Sequence, residues 1–285
     1  MTTEKPTKTR ESYFPGYAED EPNPVIDCLV AHRSVRKFKD EPISPEALDR
    51  ILTAAQRAPT SSNMQAYSII VIDDRALREK LRELSAHQEF IADCAVLLIF
   101  CADISRLVRV CEGQGYTYRG DRLNSLMTGH GDSLLACQNA AIAAESMGLG
   151  NCMLGNIRQN PKQVSDLLEL PRHVFATVGL AIGIPDQNPG IKPRLSRSVV
   201  VSRNRYSTKH LEDGLADYDR VTCAAGIYGG RPEPLPGAGP DHEETFTAET
   251  YGWVEHTARR MTADHSERWR EFDRFIESKE FGRKA

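Results

Sequence analysis

The sequence predicts a mixed helix-and-sheet protein whose short strands are covered by helices on both faces. Three observations carry this. Tyr67–Ile72 and Ala95–Cys101 are apolar runs without polar alternation, as expected of strands buried on two sides. Amphipathic helical stripes lie between and around them. The stretch from Gly131 to Met147 is small and apolar almost all round, which marks a helix enclosed by its neighbours.

The elements follow in order. Residues 1–23 are polar, carry three prolines and form an N-terminal extension. Asn23-Pro24 opens a helix with apolar Val25, Ile26, Leu29 and Val30. Ser44-Pro45-Glu46 opens a second, with an N-cap serine, proline at the first helical position and an acid in the first turn. Its stripe is Leu48, Ile51, Leu52 and Ala55, and Pro59 stops it. Short helices around 76–84 and 89–93 separate the two strands. Gly148 and Gly150 end the apolar helix, and Cys152–Leu154 is a brief strand. A helix from Asn160-Pro161 precedes a strand over Val174–Ile182. Beyond Tyr206 the character changes: residues 224–243 are rich in Gly and Pro, and a charged helix spans about 252–279.

Composition excludes several classes of function. The chain has 285 residues, 40% hydrophobic, enough for a substantial core. A net charge of −4 gives no electrostatic reason to bind nucleic acid or an anionic membrane. No apolar run is long enough to span a bilayer, and the polar N-terminus lacks a signal-peptide core, so the expected location is cytoplasmic. The seven cysteines show no C-x-x-C spacing and are expected as free thiols, with no metal site. No G-x-S-x-G or H-E-x-x-H motif is present, so serine-hydrolase and zinc-protease chemistry lack their local signals. His242, His256 and His265 are expected at the surface.

Four segments hold chemistry-bearing residues, and the first three each have a bland alternative. His32-Arg33-Ser34-Val35-Arg36-Lys37-Phe38 supplies planar guanidinium forks suited to a phosphate, or simply closes a helix C-terminus. Pro59-Thr60-Ser61-Ser62-Asn63-Met64-Gln65 offers short polar groups for a flat heterocycle, or an ordinary polar turn. Gly150-Asn151-Cys152-Met153-Leu154-Gly155-Asn156 permits close backbone approach at Gly155, or is a helix cap running into a strand. Lys192-Pro193-Arg194 places another basic pair on a rigid turn.

The order and spacing of these segments, together with Asp40-Glu41-Pro42-Ile43-Ser44, the helix from Gln138 to Gly150 and the turn from Asn188 to Leu195, resemble the nitroreductase family. Within it they resemble the NADPH-preferring branch of flavin reductase P and the oxygen-insensitive nitroreductases. The resemblance covers roughly residues 25–206 and fades beyond about 220. It implies an α+β fold with a central, mostly antiparallel sheet wrapped by helices. It also implies an intertwined homodimer, each C-terminal segment reaching over the other subunit. The expected organisation is an N-terminal extension over 1–23, an FMN-binding core over 24–206 and a C-terminal arm over 207–285.

By the same resemblance, His32, Arg33, Ser34 and Arg36 cradle the phosphate and ribityl end of FMN, and Lys192 and Arg194 complete the phosphate grip. Ser61, Ser62, Asn63 and Gln65 line the flavin and its ribityl chain, Gln88 contacts the ring, and the backbone of Leu154, Gly155 and Asn156 runs along it. Met153 stands where the family has an aromatic residue and Asn156 where it has a second glycine, which alters the acceptor pocket. The implied activity is ping-pong hydride transfer from NADPH, or NADH, to a small-molecule acceptor such as a nitroaromatic or quinone. Flavin N5 carries that chemistry, so no side chain is assigned a catalytic role. The alternatives are a flavin reductase supplying free reduced FMN and a flavin-binding module without turnover. Arg231 is the candidate for the 2′-phosphate of NADPH.

Overall fold

Four strands form one antiparallel sheet in the order β1-β2-β4-β3: β1 is Tyr67–Ile72, β2 Val96–Asp103, β3 Gly150–Leu154 and β4 Val174–Gly183. The computed structural model describes residues 23–229, 246–247, 250–262 and 266–282. Its contacts divide the chain into two compact units, one of residues 24–190 with 266–285 and one of 1–23 with 191–265.

The sheet lies in the first unit. Its central strands β2 and β4 are buried along their whole length. Successive side chains of a strand point to opposite faces, and β2 shows both faces covered. Leu97, Ile99 and Cys101 pack with Leu81, Ile91 and Val164 on one side. Val96, Leu98 and Phe100 pack with Ile51, Ala55, Ala136, Ala140 and Ala144 on the other. The first layer comes from α3 (Arg75–Leu84), α4 (Phe90–Asp93) and α7 (Pro161–Leu167). The second comes from α2 (Pro45–Gln56) and α6 (Arg122–Ser146). The unbroken apolar character of the strands thus has the expected cause.

Local signals explain most boundaries. The Ser44 hydroxyl accepts the Ala47 N–H at 3.1 Å and caps α2, with Pro45 at its first turn. Asp74 caps α3 in the same way. Helix α1 covers Pro24–Val30. Helix α6 begins nine residues before the expected Gly131, because Asp121 caps it by accepting the Asn124 N–H at 2.9 Å. Its alanine face is buried, but Leu134 and Leu135 are 37% and 45% exposed, so it is not enclosed all round. Helix α5 (Ser105–Gly113) was not expected; its turns carry polar and apolar residues without a buried stripe.

The C-terminal helix is two helices, α10 (Trp253–Thr262) and α11 (Ser266–Ser278), which fall in different units. Phe275, Ile276 and Phe281 bury against Phe175, Ala102 and Ile104 at one end of the sheet. Lys279 Nζ donates to the carbonyls of Leu170 at 2.7 Å and Pro171 at 3.2 Å. The end of the described chain, from Phe275 to Phe281, therefore packs on this chain's own core.

The second unit holds α8 (Arg197–Val200), α9 (Leu211–Ala224) and α10. His256 is not a free surface residue there: its ring stacks on Tyr228 at 4.5 Å. Most of the Gly/Pro-rich stretch, with Arg231, His242 and His265, lies outside the described residues. All seven cysteines are free thiols, and burial pushes Cys94, Cys101 and Cys137 up to about 12, which makes them inert at neutral pH.

Candidate active site

The basic segment after α1 is an extended strap laid on the sheet's β3 edge. Ser34 bridges Asn151 in parallel register, and the Val35 N–H donates to the Asn151 carbonyl at 2.8 Å. Further along, the Lys39 N–H reaches the Ile184 carbonyl at 2.9 Å, and Phe38 pairs with Pro185. Val35 and Phe38 are buried, and Arg36 and Lys37 between them are exposed. Arg33 and Arg36 are exposed, and among the described residues neither has a hydrogen-bond or ion-pair partner. Arg33 opens on a cleft of about 560 Å³ lined also by Val35, Glu145, Leu149, Gly150 and Pro185. His32 is tied down instead: its Nδ1 lies 2.6 Å from the Glu145 carboxylate on α6.

The polar loop before β1 is a single 3-10 turn, Ser61–Asn63, followed by Met64 and Gln65. Ser62, Asn63 and Gln65 have φ of 48°, 56° and 51°. Asparagine tolerates this left-handed region, whereas serine and glutamine are strained in it. Ser61, Ser62, Asn63, Met64 and Gln65 are all exposed. Two charged side chains hold this loop, and both escaped sequence reasoning. The Asp132 carboxylate, 3% exposed on α6, accepts the Ser61 N–H at 2.9 Å with one oxygen and the Ala66 N–H at 2.9 Å with the other. Arg106 on α5 donates to the Gln65 carbonyl at 3.0 Å, and also to the Tyr67 carbonyl. A glycine inside a helix, Gly129, is the signal that was available: a Cβ there would lie 3.0 Å from the Ala66 carbonyl oxygen and 2.9 Å from the Ala102 Cβ.

Strand β3 delivers the third segment. It ends at buried Leu154, and Gly155 and Asn156 open a 3-10 turn that contains Arg158. Hydrogen bonds connect this turn to the loop through the core. Arg158 donates to the Thr177 carbonyl, the Thr177 hydroxyl lies 2.7 Å from that of Ser133, and Ser133 is next to Asp132. Burial lowers the Arg158 pKa, while burial and the Arg158 charge lower that of His130, so the imidazole is favoured neutral. Gln88 is half-buried at the turn that opens α4, its carbonyl accepting the Ile91 N–H at 3.0 Å. Lys192 and Arg194 belong to the second unit, where both are exposed and Pro193 between them accepts a hydrogen bond from Tyr218 at 3.1 Å.

Unpartnered guanidinium groups on a fixed strap suit a phosphate. Exposed hydroxyl and amide groups on a rigid loop, and an open glycine backbone at the turn after β3, suit a flat heteroatom-rich ring. That donor set fits a flavin mononucleotide. Among the described residues, no group of three or more His, Cys, Asp or Glu is placed to hold a metal ion.

This donor set and the helix-covered antiparallel sheet fit a flavin-dependent oxidoreductase class. Residues 29–184 match the Nitroreductase family, and the chain belongs to it. It is 41% identical over 197 residues to an oxygen-insensitive NADPH nitroreductase of Salmonella typhimurium, covering 69% of this chain and 80% of the relative. It is 36% identical over 202 residues to an NADPH-flavin oxidoreductase of Vibrio harveyi, covering 71% and 82%. Its structure is similar to that of NfrA2 of B. megaterium, with a TM-score of 0.80 at 31% identity over 93% of this chain and all of the other.

The strap's seat on β3 generates a prediction. A Cβ on Gly150 would lie 2.9 Å from the Val35 Cβ and Cγ1. Gly150→Ala should therefore push the strap outward and lower stability by about 1–3 kcal/mol, as overpacking does. Urea unfolding measures this, and unchanged stability would mean that the strap does not depend on this contact.

Proposed function

We propose that this chain uses the strap and the Ser61–Gln65 loop to hold FMN and reduce small aromatic acceptors. The chain is an FMN-dependent NAD(P)H oxidoreductase of the nitroreductase family. The observation that carries the site assignment is the pair of unpartnered arginines, Arg33 and Arg36, on a strap whose backbone is fixed to β3. FMN, when bound, supplies the hydride-transferring centre; the protein's part is binding, orientation and electrostatics. Arg33, with Ser34, Lys192 and Arg194, would neutralise the phosphate, and His32, oriented by Glu145, would add its Nε2. Arg36 would stabilise negative charge on the reduced ring. Ser61, Ser62, Asn63, Gln65 and Gln88 would bond the ring and ribityl heteroatoms. Leu154, Gly155 and Asn156 would offer backbone along the ring, with Met153, 38% exposed, beside the acceptor.

Nitroaromatics and quinones are the acceptors this reading favours. Free flavin is the second, because two similar proteins of Bacillus subtilis carry the name FMN reductase. No helix among the described residues is long and apolar enough to cross a membrane, and the free thiols support a reducing, cytoplasmic location.

The cofactor assignment is tested on the purified protein. It should be yellow, bleach with NADPH under anaerobic conditions and regain colour with a nitroaromatic. Arg33→Ala and Arg194→Ala should each cost about 1.5–3 kcal/mol of FMN binding, or roughly tenfold or more in affinity. Undiminished FMN affinity in both removes the phosphate assignment, and a colourless wild-type protein that cannot be loaded with FMN removes the cofactor.

A homodimer completes the proposal. Leu123, Met127 and Leu134 recur on one face of α6 and are 63%, 65% and 37% exposed; Val25, Ile26 and Leu29 of α1 are 62%, 42% and 43% exposed. Such apolar stripes support burial against a second copy. Sedimentation should give a dimer, and Met127→Lys should shift it toward monomer. A wild-type monomer holding FMN stoichiometrically contradicts this assembly.

Arg231 remains the proposed reader of the NADPH 2′-phosphate, beyond the described residues. Arg231→Ala should lower kcat/KM for NADPH and leave NADH nearly unchanged. An equal fall with both coenzymes, or no change with either, assigns the preference elsewhere.

A further inference from the structure

We infer that Asp132, with Arg106 opposite, is a positioning residue that sets the Ser61–Gln65 loop in its cofactor-binding shape before the cofactor arrives. The inference rests on the FMN reading above and assigns the two residues no contact with the cofactor. Its basis is where the hydrogen bonds fall. Asp132 spends both carboxylate oxygens on the two ends of one short loop, the N–H groups of Ser61 and Ala66. A carboxylate that served only to anchor a helix to the core would have no reason to bridge both ends of the same loop. The bridge fixes the loop's span. Arg106 takes the opposite polarity, binding the carbonyls of Gln65 and Tyr67, and is itself held by Asp103 at 3.1 Å and the Ser68 hydroxyl at 2.9 Å. The Asp103 N–H adds a bond to the Ala66 carbonyl at 2.9 Å.

Between these fixed points, Ser62, Asn63 and Gln65 sit in left-handed conformations with their side chains exposed. Strain of this kind persists only where surroundings over-determine it, and it gathers at functional sites. Here the surroundings are Asp132 and Arg106. Ordering the loop in advance removes that entropic cost from cofactor binding. Released from the clip, Ser62 and Gln65 should relax to negative φ and turn their side chains away from the cofactor.

The test uses the intact protein, with FMN removed and then titrated back. Asp132→Asn keeps the size of the side chain but turns an NH2 group toward a backbone N–H, losing one end of the bridge. Arg106→Ala changes a half-exposed residue and tests the opposite side. Three quantities are read: the FMN dissociation constant by fluorescence quenching, the visible circular dichroism of the bound flavin at saturation, and the melting temperature without FMN. Each variant should bind FMN roughly tenfold more weakly and change the flavin's dichroic band, while the FMN-free protein melts close to wild type. Wild-type affinity and dichroism in both variants overturn the inference. So does a lowered melting temperature with wild-type affinity and dichroism, which would make the pair an ordinary structural anchor. If Asp132→Asn does not fold, Arg106→Ala decides by the same readings. A wild-type protein that takes up no FMN fails the functional reading itself, a different result from variants that bind FMN as wild type does.

Discussion

The Asp132 carboxylate is the point through which the core shapes the site. It is buried on α6, yet its two oxygens reach backbone N–H groups at both ends of the Ser61–Gln65 loop. Ser62 and Gln65 in the left-handed region cost about 1–2 kcal/mol each, and Asn63 less. Hydrogen bonds to a charged group return about 1.5–3 kcal/mol each. The two accepted by Asp132 therefore match the loop's strain in magnitude, and the Arg106 bonds tip the balance toward the observed shape. An isolated loop of this sequence would not hold it.

Everything that makes Asp132 rigid descends from the two-sided core. β2 places Val96, Leu98 and Phe100 against the alanines of α6, and small residues let that helix lie close to the sheet. Asn139 ties α6 to α2 by donating to the Ala54 carbonyl at 3.1 Å. Ser133 ties it to β4 through Thr177, and Arg158 extends that link to the turn after β3. On the far edge, Asn151 receives the strap and donates to the Ala141 carbonyl of α6 at 3.2 Å. One helix thus registers the polar loop, the end of β3 and the basic strap against each other, which is the rigid scaffold a cofactor-driven reaction requires.

The strands and capped helices were legible because their determinants are local. Ser44-Pro45 marked the start of α2, and runs of apolar residues marked β1, β2 and β4. The strap and the polar loop were legible as residue types in order, and the family resemblance supplied their joint meaning. What local signals did not convey was long-range. Asp132 reads as one acid in an apolar helix, and its partners lie 71 and 66 residues away. Arg106 reads as an ordinary helix arginine, although it spans 41 residues to Gln65. The first turns of α6 were missed because Thr128, Gly129 and Gly131 are weak helix formers; tertiary contact overrides that weakness. The same Gly129 is what lets α6 approach the loop.

The protein, and not its ligand, shapes the loop. Amide hydrogen exchange of the Ser61 and Ala66 N–H groups in FMN-free protein measures this directly. If Asp132 holds them, both amides exchange slowly without FMN, and adding FMN slows them little further. Fast exchange in the FMN-free protein, with protection appearing only when FMN binds, would contradict the account.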